Sequence, residues 1–236
     1  MLMVSPLFIW LGAGRARRRQ VAQRGQLVDQ AARAGLPVPP GAILLDELLR
    51  VFLDKQLIEH QGDRLVIPDP ELFYNTLFYT VRLPPFERPV FLGPAFDPNP
   101  NLIPERGPVD FGDNTATAAA LSALWSDMKR ALVRRADVMI LEQVAAAHAG
   151  VVVTSDTFDE ATLTISVAAD LPTRLPRLSG WAPPDHALPP YAQRLQMLLR
   201  GVRRTFGPGT WQIEWADDGH ICYLIGAAAA QQPFQP

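Results

Sequence analysis

Cysteine is nearly missing from this 236-residue chain: Cys222 stands alone, so no internal disulfide can form, and the expectation is a packed thiol in a reducing compartment. Lysine is almost as scarce. Lys55 and Lys129 are the two lysines among 22 basic side chains, and the rest are arginines. Four histidines, His60, His148, His186 and His220, show no metal-ligand spacing with cysteine or acids, and neither His-Glu-x-x-His nor Cys-x-x-Cys occurs. No Gly-x-Ser-x-Gly elbow is found, which removes the commonest hydrolase signature. A net charge of -2 offers no general attraction to nucleic acid or an anionic membrane, so any anion site must be local. Long apolar runs are lacking too. The stretch from Leu2 to Ala13 is too short to span a bilayer, and it precedes the arginines where a secretory signal would follow them. A cytoplasmic protein is expected.

What is present belongs to an ordered protein, since 48% of residues are apolar and 19% charged. The organising stretch is Ala34-Gly35-Leu36-Pro37-Val38-Pro39-Pro40-Gly41. Gly35 suits the positive φ of a helix C-terminus, and three prolines forbid the helix to resume. The chain therefore leaves extended, into the apolar run Ala42 to Leu45, and Asp46 can cap the next helix.

Before it, Pro6 to Leu11 reads as a short strand, Gly12-Ala13-Gly14 as a turn, and residues 20 to 34 as a helix. The cluster Arg15, Arg17, Arg18, Arg19 and Arg24 reads as a solvated helix face or, alternatively, as a phosphate or RNA contact. After it, Asp46 to Glu59 has helical spacing, Gly62-Asp63 turns the chain into Arg64 to Ile67, and Asp69-Pro70-Glu71 opens another helix. A helix followed by a turn and a strand also describes a winged-helix fragment, though no second basic helix accompanies it. Asp97 to Gly112 reads as an irregular loop and Thr115 to Arg135 as the longest helix. Val138 to Val144 and Gly150 to Thr154 are β-branched runs expected to pair, and Ala161 to Ala168 alternates as a strand does. Arg174 to Pro190 reads as a loop and Tyr191 to Arg204 as a helix. Then Trp211 to Ala216 and Ile221 to Ile225 flank Asp218-Gly219, a hairpin signal that pairs Gln212 with Ile225 and Glu214 with Tyr223. Asp156, Asp159 and Glu160 read as a solvated turn.

Ala34 to Gly41, together with Ile140-Leu141-Glu142-Gln143-Val144, Ala149 to Asp156, and Gln212-Ile213-Glu214-Trp215-Ala216, resembles the AMP/ATP-binding domain of the phosphoenolpyruvate synthase and pyruvate phosphate dikinase family. The resemblance implies an ATP-grasp-like α/β (α+β) fold: two mixed or antiparallel sheet subdomains with flanking helices, at residues 1–110 and 111–226, and a tail at 227–236. It also implies ATP and magnesium as cofactors. Arg24 stands where the family has a phosphate-contacting lysine, and Glu214 where it has a metal-binding glutamate. Arg24, Glu214 and Gln212 are thus the expected nucleotide-binding residues, with Glu214 the metal ligand.

Other matched positions depart from the family. Leu141 and Ile225 replace amides, and Leu92, Ser155 and Ala227 replace arginines. Phosphoryl transfer is mostly positioning and charge neutralisation, so a site short of these groups is expected to be poor at it. The family's phosphohistidine domain and phosphoenolpyruvate barrel are not in this sequence, and their full reaction is not expected of it alone. The reading is a nucleotide-binding, regulatory or interaction module acting without phosphoryl transfer, with ATP, AMP or a protein as partner. The alternatives are an active ATP-dependent phosphotransferase with a rearranged site and, through the arginine cluster, a nucleic-acid binder.

Overall fold

The computed structural model describes residues 6–96, 103–154, 160–165, 174–180 and 182–230. Chain order runs β1 (Phe8–Trp10), α1 (Gln23–Arg33), β2 (Gly41–Leu44), α2 (Asp46–Asp54), β3 (Glu59–Gln61), β4 (Arg64–Val66) and α3 (Pro70–Asn75), which continues as a π turn. Next come β5 (Val90–Pro94), β6 (Arg106–Val109), α4 (Asn114–Arg130), β7 (Val138–Glu142) and β8 (His148–Val153). The last elements are β9 (Glu160–Ile165), β10 (Arg174–Pro176), α5 (Pro190–Phe206), β11 (Trp211–Asp217) and β12 (Cys222–Ala229). The fold is mixed α/β with antiparallel sheets and flanking helices, as the sequence predicts. Two compact units result. One comprises residues up to Gly25 with Pro40–Gln143, the other Gln26–Pro39 with residues from Val144 onward.

In the first unit the strand order is β1-β2-β7-β5-β6, each pair antiparallel. Helices α2, α3 and α4 bury Phe52, Phe73 and Trp125 against one face of it, with the Phe52 and Phe73 rings 5.2 Å apart. Asp69 accepts from the Leu72 N–H at 2.9 Å and Pro70 is the first helical residue, the expected opening of α3. Gly41 must be glycine, because a Cβ there would lie 2.3 Å from the Ile140 carbonyl oxygen.

Several expectations shift. β7 does not pair with β8: it is held on one edge by β2 and on the other by β5, so no edge remains for a third partner. Residues 111–143 group with the first unit, because α4 packs on β4, β5 and β6, and β7 is central in the same sheet. Asp46 is not a cap. Its carboxylate accepts from the Ala136 N–H at 3.0 Å while its own N–H donates to Asp137 at 2.8 Å, tying α2 to the approach to β7. Arg15 to Arg19 lie in turns ahead of α1, not on a helix.

In the second unit the order is β10-β9-β8-β11-β12, again antiparallel throughout. Helix α1 ends as predicted: Gly35 has φ 80°, its N–H bonds the Ala32 carbonyl at 3.1 Å, and the Leu36 N–H bonds the Ala31 carbonyl at 3.0 Å. In the extended stretch that follows, the Pro37 carbonyl accepts from the Leu224 N–H at 2.8 Å. The expected loop from Arg174 includes the edge strand β10, and β12 runs through Ala229, so Ala227 to Ala229 are strand and not tail. Ser155, Asp156 and Asp159 lie outside the described residues, as does the tail from residue 231.

Candidate functional site

Glu214 and Gln212 stand two residues apart on β11 and so project from one face of its sheet, both half-buried, with Val151 and Val153 of β8 opposite them. The other face of β11 carries Ile213, Trp215 and Asp217, all buried. The structure brings the two predicted residues together, but their cross-strand partners differ from those expected. Gln212 pairs with Ala228 and Glu214 with Gly226.

Two features cause the shift. The hairpin turns over four residues, Asp218 to Ile221, after the Asp217–Cys222 pair. The register then slips between Glu214 and Trp215, leaving Ile225 as an extra residue on β12. The Asp218 carboxylate accepts from the Ile221 N–H at 2.7 Å and the His220 N–H at 2.8 Å, and these bonds hold its pKa below the usual carboxylate range. A two-residue Asp-Gly turn cannot form while Asp218 closes this larger loop.

Arg24 belongs to the first unit. Its side chain is 3% exposed, at the second residue of α1, and its Nη2 donates to Glu105 Oε1 at 2.8 Å. A longer contact of 3.4 Å runs from Nη1 to the Pro94 carbonyl at the end of β5. The base expected to hold phosphate is therefore buried and ion-paired to a carboxylate of its own unit. Leu92 and Leu141, at matched positions that lack polar groups, are buried in the same unit. Glu105 was not legible in the sequence, since it sits in a stretch of Pro, Asn and Gly with no periodicity to place it.

The second unit holds chemistry that the sequence did not single out. Arg194 of α5 grips the fully buried Asp217 with Nε at 2.7 Å and Nη2 at 2.6 Å, and this pairing raises the guanidinium pKa. Its neighbours Leu198 and Met197, with Leu36, Pro37, Ile221 and Cys222, line a cavity of about 250 Å³. Burial pushes the Cys222 thiol pKa far up, so it is a packed thiol, as predicted. Among the described residues, no group of three or more His, Cys, Asp or Glu side chains is placed to hold a metal ion. Among the same residues, no helix is long and apolar enough to cross a membrane.

No family model matches the chain, and no curated protein matches it. Among solved structures it is similar to a biotin carboxylase complex with β-γ-ATP from Campylobacter jejuni, at 15% identity over 88% of this chain and 40% of that one, with a TM-score of 0.47. It is also similar to a RimK domain ATP-grasp protein from Sphaerobacter thermophilus, at 16% identity over 91% and 61%, TM-score 0.45. A third is the D-alanine-D-alanine ligase of Helicobacter pylori, at 10% identity over 85% and 48%, TM-score 0.46. The chain spans between 40% and 61% of the length of these structures.

Proposed function

We propose that this chain is an ATP-grasp-like module, akin to the AMP/ATP-binding domain of the phosphoenolpyruvate synthase family, that binds a nucleotide or a protein partner without transferring a phosphoryl group. One observation carries the reading. Arg24, the one base left at the matched positions, is buried and neutralised by Glu105. A triphosphate needs several cations and a chelated magnesium to offset its charge. The donors at the matched positions are the Glu214 carboxylate and the Gln212 amide, and the residue opposite Glu214 is a glycine. Those groups do not fit magnesium and a triphosphate as a working site, and no chemical step is derived through them. The lone buried thiol supports placing the module in the cytoplasm.

A second reading, an ATP-dependent phosphotransferase with a rearranged site, is favoured by one feature: Glu214 and Gln212 share a half-buried face. Incubating the chain with ATP and magnesium while following ADP separates the two. The module reading expects no ADP above the buffer blank. ADP release that disappears in Glu214→Gln would overturn it and establish the second.

A further inference from the structure

Five arginines and no acidic residue precede Asp29, in a chain whose net charge is -2, so charge is spread unevenly along the sequence. Arg15, Arg17, Arg18 and Arg19 fall on one closed turn. The Arg19 N–H donates to the Arg15 carbonyl at 3.1 Å, the Gln20 N–H to the Arg17 carbonyl at 3.2 Å, and the Val21 N–H to the Ala16 carbonyl at 3.1 Å. Gln20, at φ 55°, reverses the chain, and the residues on either side of that reversal, Ala16 and Val21, are buried. The turn is anchored and its backbone is fixed.

The side chains divide accordingly. Arg19 is taken up by the fold, donating to the Pro6 carbonyl at 3.3 Å and standing 3.6 Å from Glu47. Arg15, Arg17 and Arg18 are exposed, and among the described residues none of their side chains has a hydrogen bond or an ion pair. Elsewhere in the same unit Arg50 has Asp46, Arg106 and Arg130 have Asp127, and Arg135 has Asp137. Three like charges within four positions repel one another, so the fold's own ion pairs do not account for their clustering. A membrane surface or a protein hot spot would call for an exposed apolar anchor beside them. The exposed large apolar residues are Leu72, Tyr79, Leu132, Met197 and Ile221, none of them on this turn. What the turn offers is charge alone, on guanidinium forks that match phosphate oxygens two at a time.

We propose that the turn from Arg15 to Arg19 is a docking surface for the phosphodiester backbone of a single-stranded nucleic acid, with Arg15, Arg17 and Arg18 each neutralising one phosphate. Such contacts fix position along the strand and read no bases, so binding is independent of sequence and weakens with salt. The inference does not rest on the proposed function above, and the ADP assay leaves it standing either way.

The full chain is titrated into a fluorescently labelled oligouridylate at rising potassium chloride and followed by anisotropy. Saturable binding is expected, with log K falling against log salt at a slope of about -2, the value for three phosphates on a single strand. Arg15→Gln, Arg17→Gln and Arg18→Gln are each expected to reduce that slope by about 0.7, and the three together to abolish binding. Arg64→Gln, Arg88→Gln and Arg134→Gln combined remove the same charge from exposed positions elsewhere in the unit, and binding is expected to persist. All six side chains are exposed, and unchanged thermal unfolding verifies that the variants fold. The proposal is overturned if the strand does not bind at low salt, or if the control triple loses as much as the turn triple. It is equally overturned if polyglutamate or phosphatidylserine vesicles hold the chain as tightly as the strand does, since the partner would then be an acidic peptide or a membrane.

Discussion

The first unit surrounds the buried carboxylates of Asp137 and Asp127 with several partners, whereas Asp217 of the second is held by a single cation, Arg194. Asp137 receives Nε and Nη2 of Arg135 and the Asp46 N–H, while Arg135 also reaches Glu47, which Arg19 approaches at 3.6 Å. Asp127 lies between Arg106 and Arg130. Asp217 of the second unit has Arg194 and the Gly219 N–H. Nearby, His148, Tyr191 and Trp215 stack, with centroids 4.2 Å and 6.3 Å apart, yet among the described residues His148 Nδ1, the Tyr191 hydroxyl and Trp215 Nε1 have no hydrogen-bond partner. The first arrangement shares each charge among neighbours. At Asp217 the charge is concentrated in one pair, beside an aromatic layer held by shape.

The sharpest way to break that contrast is to remove one carboxylate from each unit. Asp217→Ala strands the Arg194 guanidinium and the Gly219 N–H, and is expected to cost about 3–5 kcal/mol in urea unfolding. Asp137→Ala leaves Arg135 its bond to Glu47, so its expected cost is smaller, about 2–3 kcal/mol. Equal losses would show that the extra partners share nothing.

Alkaline pH probes the second unit with a milder effect. Burial, then the Asp217 carboxylate, raises the Cys222 thiol above its ordinary value of 9.0. Unfolded chains then release a proton above about pH 9 that folded chains retain. Stability from this group is therefore complete below pH 9 and lost above it, at up to about 1.4 kcal/mol per pH unit. Cys222→Ala is expected to flatten that limb of the stability profile. Tyr191, also raised by burial, adds to the same limb above its ordinary value of 10.0.

The smallest effect sharpens the aromatic side of the comparison. Tyr191→Phe removes a buried hydroxyl that has no partner among the described residues, and stability is expected to stay level or rise, within about 1 kcal/mol. A loss larger than that would mean the hydroxyl is held by a bond the aromatic layer does not reveal.

Much of the local structure was legible because it depends on a few adjacent residues. Gly35 and three prolines end α1, and Asp69 with Pro70 opens α3. The apolar runs at Val138 and Trp211 become β7 and β11. Pairing was less legible. The β-branched runs at residues 138 and 150 look like natural neighbours, but β7 already has both edges occupied. The β12 register depends on an extra residue at Ile225 and on Asp218 closing a four-residue loop, neither of which alternation in sequence can show. At the candidate site, Glu214 and Gln212 could be placed on one face from their spacing alone. The Arg24–Glu105 pair could not, because 81 residues separate its members.

By itself, then, the amino-acid sequence determined where α1 ends and α3 opens, the positions of the longer helices and strands, the α/β character of the fold, and the faces of β11 on which Gln212 and Glu214 fall. These follow from backbone sterics and periodicity within a few residues. Tertiary structure alone decided which strands share a sheet, where the chain divides into units, and that the arginine expected to meet a phosphate meets Glu105. Those outcomes depend on which edges and charges are already occupied by distant parts of the chain, a competition that only folding settles.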